Sequence, residues 1–307
     1  MRILKGCLAL VTLLLNTVVH AVVVCLLAIP KLLAPTKSLR DEMRKLLARV
    51  AESWISVNSL GLSLYGQTDW DLELPNGLNH KGSYVVCCNH QSWVDIPVLQ
   101  RCFNRRLPLL LFFIKSQLIW VPFLGLAWWA LDFPFMKRLS KEQLAQNPHL
   151  KGKDLESART ACEKFQHIPV AMMNFPEGTR FSASKRDDRR SPYQHLLAPR
   201  IGGIGQVLYA LSDKLDGMID VTIVYQDCEG NGFQATLWDL VSGQVPRICV
   251  RARVLPIPQD LIGTDFGSDV EARQRLSGWM SRIWAEKDGQ IARLGRHHAR
   301  IAPNQTD

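Results

Sequence analysis

The stretch "YVVCCNHQSWVDIPVL", residues 84–99, joins a short run of β-forming residues to a run with helical spacing through a polar turn. Residues 84–88 are typical of a buried strand, and the apolar spacing over residues 94–103 predicts a helix. A strand that leads directly into a helix indicates an α/β domain, in which helices cover a central sheet. His90 would then lie at the end of the strand and Asp95 in the first turn of the helix.

The chain that follows this stretch continues the alternation of strands and helices. Short apolar runs predict further strands at residues 170–175, 220–225, 234–241 and 248–254. Longer periodic runs predict helices at residues 154–167, 202–215 and 269–287. We therefore expect an α/β fold over residues 71–307, with a central, partly parallel sheet flanked by helices.

The chain before this stretch contains a long apolar segment. Residues 6–29 carry no formal charge, and their polar interruptions are Thr12, Asn16, Thr17 and His20. As a helix this run would be roughly 36 Å long, which is enough to cross the hydrocarbon core of a bilayer. It is longer than the apolar part of a signal peptide, and no clear cleavage site follows it. We interpret residues 1–35 as a membrane anchor made of one helix or a helix pair.

A basic segment follows the apolar one. Residues 36–70 have apolar positions at helical spacing and a Ser38-x-x-Asp41 pattern, which predict an amphipathic juxtamembrane helix that begins with a capping box. Its apolar face could pack on the α/β domain or lie on lipid. Basic residues are concentrated after the anchor, at Lys31, Lys37, Arg40, Arg44, Lys45 and Arg49. This bias predicts that the large C-terminal part of the chain lies on the cytoplasmic side of the membrane, which would be an inner or plasma membrane or an endomembrane.

The charge and the cysteine pattern narrow the classes of partner. A formal net charge of +9 favours a polyanionic partner, either nucleic acid or an anionic lipid surface. The basic residues have little aromatic interleaving, which disfavours nucleic acid. The eight cysteines are scattered without a CxxC pair, so we expect neither a metal site nor a disulfide framework.

The spacing of His90 and Asp95 has a possible chemical use. A turn of this length can bring the carboxylate back to the imidazole, where it fixes the tautomer and leaves the other ring nitrogen free to accept a proton. The same spacing also occurs where a structural histidine lies near an aspartate that caps a helix. The pair by itself leaves both interpretations open.

A second polar turn follows the predicted strand at residues 170–175. The segment "NFPEGTRF", residues 174–181, contains Gly178, which can adopt a positive φ angle. Backbone N–H groups beside Thr179 and Arg180 would form a phosphate cradle, and Glu177 would orient Arg180 or a substrate hydroxyl. A tight turn that carries a surface ion pair would have the same sequence.

Two further stretches depart from the pattern of an ordinary soluble domain. Residues 107–138 are strongly apolar and rich in tryptophan, but Lys115, Pro122 and Gly125 interrupt them. This favours a region that dips into the membrane interface or lines an acyl-chain pocket. Residues 180–200 are basic and are expected to form a mobile loop.

Together the two polar turns resemble the motifs of the glycerolipid acyltransferase family, whose type member is 1-acylglycerol-3-phosphate acyltransferase. The first is Asn89-His90-x4-Asp95, and the second, about eighty residues later, is Phe175-Pro176-Glu177-Gly178-Thr179-Arg180. Residues 115–138 are similar to the family's middle block, with Lys115 and Arg138 at its basic positions. The resemblance covers roughly residues 80–225.

This resemblance implies that the chain is a membrane-bound O-acyltransferase of phospholipid biosynthesis or remodelling. A fatty acyl group would move from acyl-CoA or acyl carrier protein to the free hydroxyl of a lysophospholipid, first of all 1-acyl-glycerol-3-phosphate. His90 would be the general base and Asp95 would hold its imidazole. The acceptor phosphate would be bound by Glu177, Gly178, Thr179, Arg180, Lys115 and Arg138, with Asn89, Phe175 and Pro176 in support. No cofactor is implied, and membrane phospholipids are the expected surroundings.

Three alternatives remain open from the sequence. The acceptor could be a lysophospholipid with another head group. The chain could be a thioesterase with a cysteine nucleophile, because Cys88 lies two residues from His90. Successive strand residues face opposite sides of a sheet, so at most one of Cys87 and Cys88 would share the side of the histidine. The third alternative is a lipid-binding protein without catalysis.

Overall fold

The computed structural model describes residues 2–121, 123–136 and 168–295, together with residues 160 and 165. The predicted helix at residues 154–167 therefore lies, apart from two positions, outside the described residues. Arg138 also lies outside them.

The strands, in chain order, are β1 Asp69–Glu73, β2 Tyr84–Cys88, β3 Leu110–Phe112, β4 Ile114–Lys115, β5 Phe135–Met136, β6 Ala171–Asn174, β7 Gly217–Gln226 and β8 Arg247–Leu255. Within the described chain the central sheet has the order β1-β8-β7-β2-β6-β3, and β4 pairs with β5. The four strands β7, β2, β6 and β3 are parallel, whereas β8 is antiparallel to β7. The predicted central, partly parallel sheet is confirmed.

The helices are α1 Arg2–Leu33, α2 Lys37–Tyr65, α3 Asp95–Phe103, α4 Leu124–Ala130, α5 Ala183–Asp188, α6 Gly202–Leu211, α7 Leu237–Val241 and α8 Val270–Leu294. The predicted helices at residues 94–103, 202–215 and 269–287 correspond to α3, α6 and α8. In α8 the helix continues to Leu294 because Ile291 and Leu294 extend the same buried stripe.

Helices cover both faces of the sheet, and alternate side chains of β2 point to the two faces. Val85 and Cys87 point into a core formed with α6 and α8. Val86 and Cys88 point into a second core, formed with α3 and α7. Every residue of β2 is buried, which explains why its sequence is apolar throughout rather than alternating.

The predicted strand at residues 234–241 is wrong, because its second half is the helix α7. A capping box begins this helix: Thr236 Oγ1 accepts from Asp239 N at 3.1 Å, and Asp239 Oδ2 accepts from Thr236 N at 2.8 Å. These paired bonds satisfy donors that a strand would have presented to a neighbouring strand.

The expected mobile loop at residues 180–200 is also wrong. The segment contains α5, and its remainder is fixed by bonds to α8 in which Asp288 accepts from the N–H groups of Gln194 and His195 at 3.0 and 2.7 Å. Within the segment, the side chains of Leu196 and Leu197 are buried.

Helices α1 and α2 pack against each other along their lengths, and the polar residues of the apolar segment make this contact. Asn16 Nδ2 donates to Asn58 Oδ1 at 2.7 Å, and Trp54 Nε1 donates to Thr17 Oγ1 at 3.1 Å. Residues 3–33 form the one helix of the described chain that is long and apolar enough to cross a membrane. Within its most apolar stretch of 18 residues, 11% is buried inside the protein.

Helix α2 begins two residues earlier than the sequence indicated. Its N-cap is Thr36, whose side chain accepts from Leu39 N at 3.2 Å, so Ser38 lies inside the helix and the predicted capping box is wrong. The buried stripe of the helix is Leu47, Ala51, Ile55 and Leu62.

Candidate active site

The carboxyl ends of three parallel strands bring the two sequence motifs together. β2 leads into the turn that contains His90, β6 leads into Pro176, and β7 ends beside Tyr225. Parallel strands end at the same edge of a sheet, which is where α/β folds bind ligands. The side chain of Asn89 ties this turn to β7, because its Nδ2 donates to the carbonyl of Ile223 at 2.9 Å and its Oδ1 accepts from Ile223 N at 2.8 Å.

Asp95 lies at the centre of a dense set of hydrogen bonds. Its Oδ2 is 2.8 Å from His90 Nδ1 and accepts from the N–H groups of Gln91 and Ser92 at 2.7 and 2.9 Å. Its Oδ1 accepts from the Tyr225 hydroxyl at 2.6 Å. The side chain is completely buried, so these donors replace the water that an isolated carboxylate would need.

His90 contacts the second motif through its ring and its main chain. Its imidazole stacks on Phe175, with ring centroids 4.0 Å apart. Its N–H donates to Glu177 Oε1 at 2.8 Å, and its carbonyl accepts from Phe181 N at 2.7 Å. With Nδ1 bonded to Asp95, Nε2 is the ring nitrogen that is left for a substrate, and 16% of the side chain is exposed. The geometry is that of a base held by a carboxylate.

Glu177 occupies a different position from the one expected for a phosphate-site residue. It is fully buried, and its two oxygens accept from the N–H groups of His90 and Leu197, both at 2.8 Å. Burial raises the pKa of this carboxyl to about 7, although the two backbone N–H groups and Lys287 act in the opposite direction. Glu177 thus joins the two motifs and the segment after α5.

The turn after β6 carries several cations. Gly178 has a φ of +69°, as the sequence predicted. The guanidinium of Arg180 lies 5.0 Å from the ring centre of Trp93, in a cation–π contact. Lys185 Nζ donates to Thr179 Oγ1 at 3.3 Å and to the carbonyl of Arg180 at 2.9 Å.

The main chain of this turn is also suited to an anion. Within the described residues, the backbone N–H groups of Thr179 and Arg180 have no hydrogen-bond partner. Arg200 crosses the turn: its N–H donates to the carbonyl of Pro176 at 2.7 Å, and its side chain lies against Gly178. Unpaired amides surrounded by cations are a typical environment for phosphate.

Among the described residues, no observed contact brings Lys115, one of the expected phosphate residues, into this turn. Lys115 is exposed in β4, beyond the carboxyl end of β3, and thus lies at the same edge of the sheet as His90. Arg138 lies outside the described residues.

Sequence reasoning missed Tyr225, Lys185 and Arg200. Tyr225 lies in a buried apolar strand, where nothing local distinguishes it from a core residue. The two cations lie in the basic segment at residues 180–200, whose charge was the signal that they could have a role.

The cysteines of β2 are poorly placed for a nucleophile. Cys87 and Cys88 are fully buried, and desolvation raises the pKa of both thiols well above the ordinary value. Cys88 Sγ donates to Asn89 Oδ1 at 3.6 Å. A thiol that remains protonated is a weak nucleophile, so the geometry does not support the thioesterase alternative.

Fold and site together define an α/β domain in which a histidine–aspartate pair and a cationic turn lie at the carboxyl edge of parallel strands. Comparison with known families is consistent with this. Residues 71–226, just over half of the 307-residue chain, match the model of the Acyltransferase family. The chain belongs to the Acyltransferase family, which confirms the predicted family.

The chain is similar in sequence to two curated proteins. The 2-acyl-1-lysophosphatidylinositol acyltransferase of Saccharomyces cerevisiae is 25% identical over 264 residues, which are 73% of this chain and 64% of that protein. The 1-acyl-sn-glycerol-3-phosphate acyltransferase epsilon of Mus musculus is 25% identical over 222 residues, 68% of this chain and 57% of that protein. The chain thus matches less than two thirds of the length of either relative.

A solved structure has the same fold. The crystal structure of the 1-acyl-sn-glycerophosphate acyltransferase of Thermotoga maritima superposes with a TM-score of 0.52 at 14% sequence identity. The match covers 93% of this chain and 98% of that one. At this identity the likeness concerns the fold.

Proposed function

We propose that the chain transfers a fatty acyl group from an acyl thioester to the free hydroxyl of a lysophospholipid. The thioester is acyl-CoA or acyl carrier protein, and the acceptor is 1-acyl-glycerol-3-phosphate. The observation that carries the proposal is the bond between His90 Nδ1 and Asp95, at 2.8 Å, beside a turn rich in cations. The pair would supply a base for the acceptor hydroxyl, and the turn beside it would bind the acceptor phosphate.

The reaction needs one proton to move in each of its two halves. His90 Nε2 takes the proton of the acceptor hydroxyl while the oxygen attacks the thioester carbonyl. The carbonyl oxygen becomes an oxyanion, which backbone N–H groups or a nearby cation stabilise. When the C–S bond breaks, the imidazolium returns the proton to the leaving thiolate. Asp95 balances the charge of the imidazolium between these steps.

The proposed phosphate ligands are the cations around the turn after β6 and the unpaired amides of Thr179 and Arg180. Arg180, Lys185 and Arg200 surround it, and Lys115 approaches the same edge of the sheet. A cluster of cations suits the dianion of a phosphate monoester better than the single charge of a phosphodiester. This favours 1-acyl-glycerol-3-phosphate over lysophosphatidylinositol, the acceptor in the name of the yeast relative.

The base is tested by His90→Ala in the full-length, detergent-solubilised protein, with labelled acyl-CoA and acyl carrier protein as donors. We expect acyl transfer to fall by about a hundredfold to ten-thousandfold, because general base catalysis contributes that much. The matched control is His80→Ala, which removes a histidine that also pairs with a carboxylate, Glu52 at 2.7 Å, at the opposite edge of the sheet. Full turnover by the folded His90 variant would refute the proposal.

The acceptor is tested with a panel of lysophospholipids, with mass spectrometry of the products. We expect 1-acyl-glycerol-3-phosphate to be acylated with the highest kcat/KM. A higher value for lysophosphatidylinositol would replace that acceptor without affecting the base. If the protein binds liposomes but forms no product with any donor and acceptor, the proposed acyl transfer is refuted and the non-catalytic lipid-binding alternative is supported.

We further propose that α1 lies along the surface of one leaflet rather than across the bilayer. Near one end, Ala9 is buried, and a Cβ on Gly6 would lie 3.0 Å from the side chains of Trp238 and Ser242. Near the other end, Lys31 pairs with Asp132 at 2.5 Å.

These contacts join both parts of α1 to the same α/β domain. Gly6 and Lys31 are about 37 Å apart along a helix, more than the thickness of the hydrocarbon core. A helix that crossed the bilayer could not keep both contacts with a domain on one side, which we propose is the cytoplasmic side. Exposed Trp120 and Phe123 lie on the segment that contacts α1 through Cys25 and would enter the same interface.

A further inference from the structure

The two oxygens of Asp95 have different partners. Oδ2 accepts from His90 and from two backbone N–H groups, whereas Oδ1 accepts from the hydroxyl of Tyr225 at 2.6 Å. Tyr225 is fully buried, 130 residues away in the sequence, and lies at the carboxyl end of β7. Its hydroxyl thus bonds to the oxygen of Asp95 that the turn of residues 90–95 does not use.

We propose that Tyr225 is a positioning residue of the His90–Asp95 pair, which holds the carboxylate so that Oδ2 faces the imidazole. The inference rests on the proposed function, because it assigns a role in the base of that reaction. Tyr225 acts through Asp95 rather than on the substrate, since its side chain is fully buried and its hydroxyl donates to the carboxylate.

The placement of the phenol in β7 argues for a specific role. Val221 and Ile223 point to the same face of β7 as Tyr225 and are apolar members of the same core. The polar group occurs only at the end of this row, opposite Asp95. Burial, followed by the charge of Asp95, raises the pKa of the phenol well above its ordinary value, so it remains a donor at every working pH.

The hydroxyl also affects the base through charge. The hydrogen bond from the phenol stabilises the negative charge of Asp95 and so weakens the attraction between the carboxylate and the imidazolium of His90. When this bond is removed, the carboxylate stabilises the imidazolium more strongly. Among the described residues, the other titratable groups around this pair are Glu177 from the second motif, Lys287 from α8 with its partner Asp220 from β7, Cys88 from β2 and Cys102 from α3. The hydroxyl of Tyr225 donates its hydrogen bond to Asp95 and to none of these groups.

The first test is Tyr225→Phe in the full-length protein, with Tyr84→Phe as the matched control. Tyr84 is also buried, and its hydroxyl accepts from Asn79 N at 3.3 Å at the opposite end of β2. We expect kcat of Tyr225→Phe to fall about tenfold, as when the partner of a ligand or base is lost, with KM for the acceptor unchanged. The acidic limb of the kcat profile should move to higher pH by roughly half a unit. An equal effect of Tyr84→Phe would overturn the proposal.

The second test does not depend on activity. The pH dependence of His90 modification by diethyl pyrocarbonate, followed by mass spectrometry of the His90 peptide, reports the protonation of the ring directly. Its midpoint should move to higher pH in Tyr225→Phe and to lower pH when Tyr225 is replaced by 3-fluorotyrosine, a stronger donor of the same shape. Unchanged midpoints in both proteins would overturn the inference even if acyl transfer is observed. Shifted midpoints would support it even if the proposed function failed.

A double-mutant cycle separates positioning from general stability. In the Asp95→Asn background, Tyr225→Phe should cost less than twofold in residual kcat, because the carboxylate on which the phenol acts is absent. A tenfold loss in both backgrounds would mean that the hydroxyl acts independently of Asp95, against the proposal.

Discussion

At the scale of single residues, the candidate site depends on side chains that hold other side chains. Glu177 bonds to the main chain of His90 rather than to a ligand, and Asp95 bonds to both a turn and a distant strand. Gly178 also positions a neighbour, because the absence of a side chain leaves room for the side chain of Arg200. Each of these three residues is explained by the geometry it imposes on a neighbour.

The role of Gly178 gives a prediction that separates backbone strain from ligand binding. At Gly178 an added Cβ would meet a positive φ of +69° and would lie 3.3 Å from Arg200 Cδ. Gly178→Ala should therefore lower the free energy of unfolding by about 1 kcal/mol and also displace Arg200, which raises KM for the acceptor several-fold.

The matched control is Gly77→Ala. Gly77 has a φ of +78°, but a Cβ there would have no neighbour within 4 Å. It should lose similar stability, measured by the unfolding midpoint, with KM unchanged. If KM is unaltered in Gly178→Ala as well, Arg200 does not take part in acceptor binding.

At the scale of elements, a buried ion pair attaches the long helix α8 to β7. Lys287 is 1% exposed, and its Nζ lies 2.6 Å from Asp220 Oδ1 and 2.5 Å from the carbonyl of Val221. Asp220 also accepts from Arg253 Nε at 3.0 Å. The helix covers the core next to the site, and a charge this deeply buried tolerates little displacement of its partner.

Removal of one member of this pair should be costly. Lys287→Met leaves Asp220 with a single partner, and we expect the free energy of unfolding to fall by about 3–5 kcal/mol. The double variant Asp220→Asn, Lys287→Met should recover much of that loss, because no uncompensated charge remains buried. Lys214→Met, at an exposed position, serves as the control. Thermal unfolding in detergent measures all three, and equal midpoints would contradict the assigned role.

At the scale of the whole molecule, the arrangement of α1 decides how the candidate site meets lipid. Helix α1 joins α7 near one end and the residues after α4 near the other. The segment before α7 reaches the His90 turn, where Gln234 Nε2 donates to the carbonyl of Gln91 at 2.7 Å. Exposed Trp93 lies in that turn. The apolar surface of α1 is thus connected through α7 to the candidate site.

The proposed in-plane position of α1 predicts equal depths along its exposed face. Leu4, Leu15 and Leu26 lie on one face, because successive positions are separated by three helical turns, and they are 64%, 60% and 61% exposed. Each is replaced by a labelled cysteine in a variant whose other accessible cysteines are serine. Quenching by lipids with nitroxides at defined depths should give equal depths.

A helix that spans the bilayer would give a different profile. Adjacent labels would then differ in depth by roughly 16 Å, with Leu15 nearest the centre. That result would refute the in-plane position. A label at exposed Lys214 serves as the control outside the membrane and should not be quenched.

The sequence by itself determined the fold class and the family to which the two motifs point, because both depend on local patterns. The apolar pattern of residues 84–99 predicts the change from a buried strand to a helix, and one turn of chain separates His90 from Asp95. The positive φ of Gly178 was likewise predictable, because the turn chemistry of glycine depends on its own backbone.

Only the tertiary structure decided what depends on contacts between distant segments. The residues at 234–241 fit either a strand or a helix until Thr236 and Asp239 are seen to cap one, and Leu240 and Val241 to pack on the sheet. The bond of Tyr225 to Asp95 spans 130 residues, and no local pattern distinguishes that tyrosine from its apolar neighbours. The physical reason is that periodicity records which face of an element is buried, whereas the partner that buries it is fixed by the packing of the whole chain.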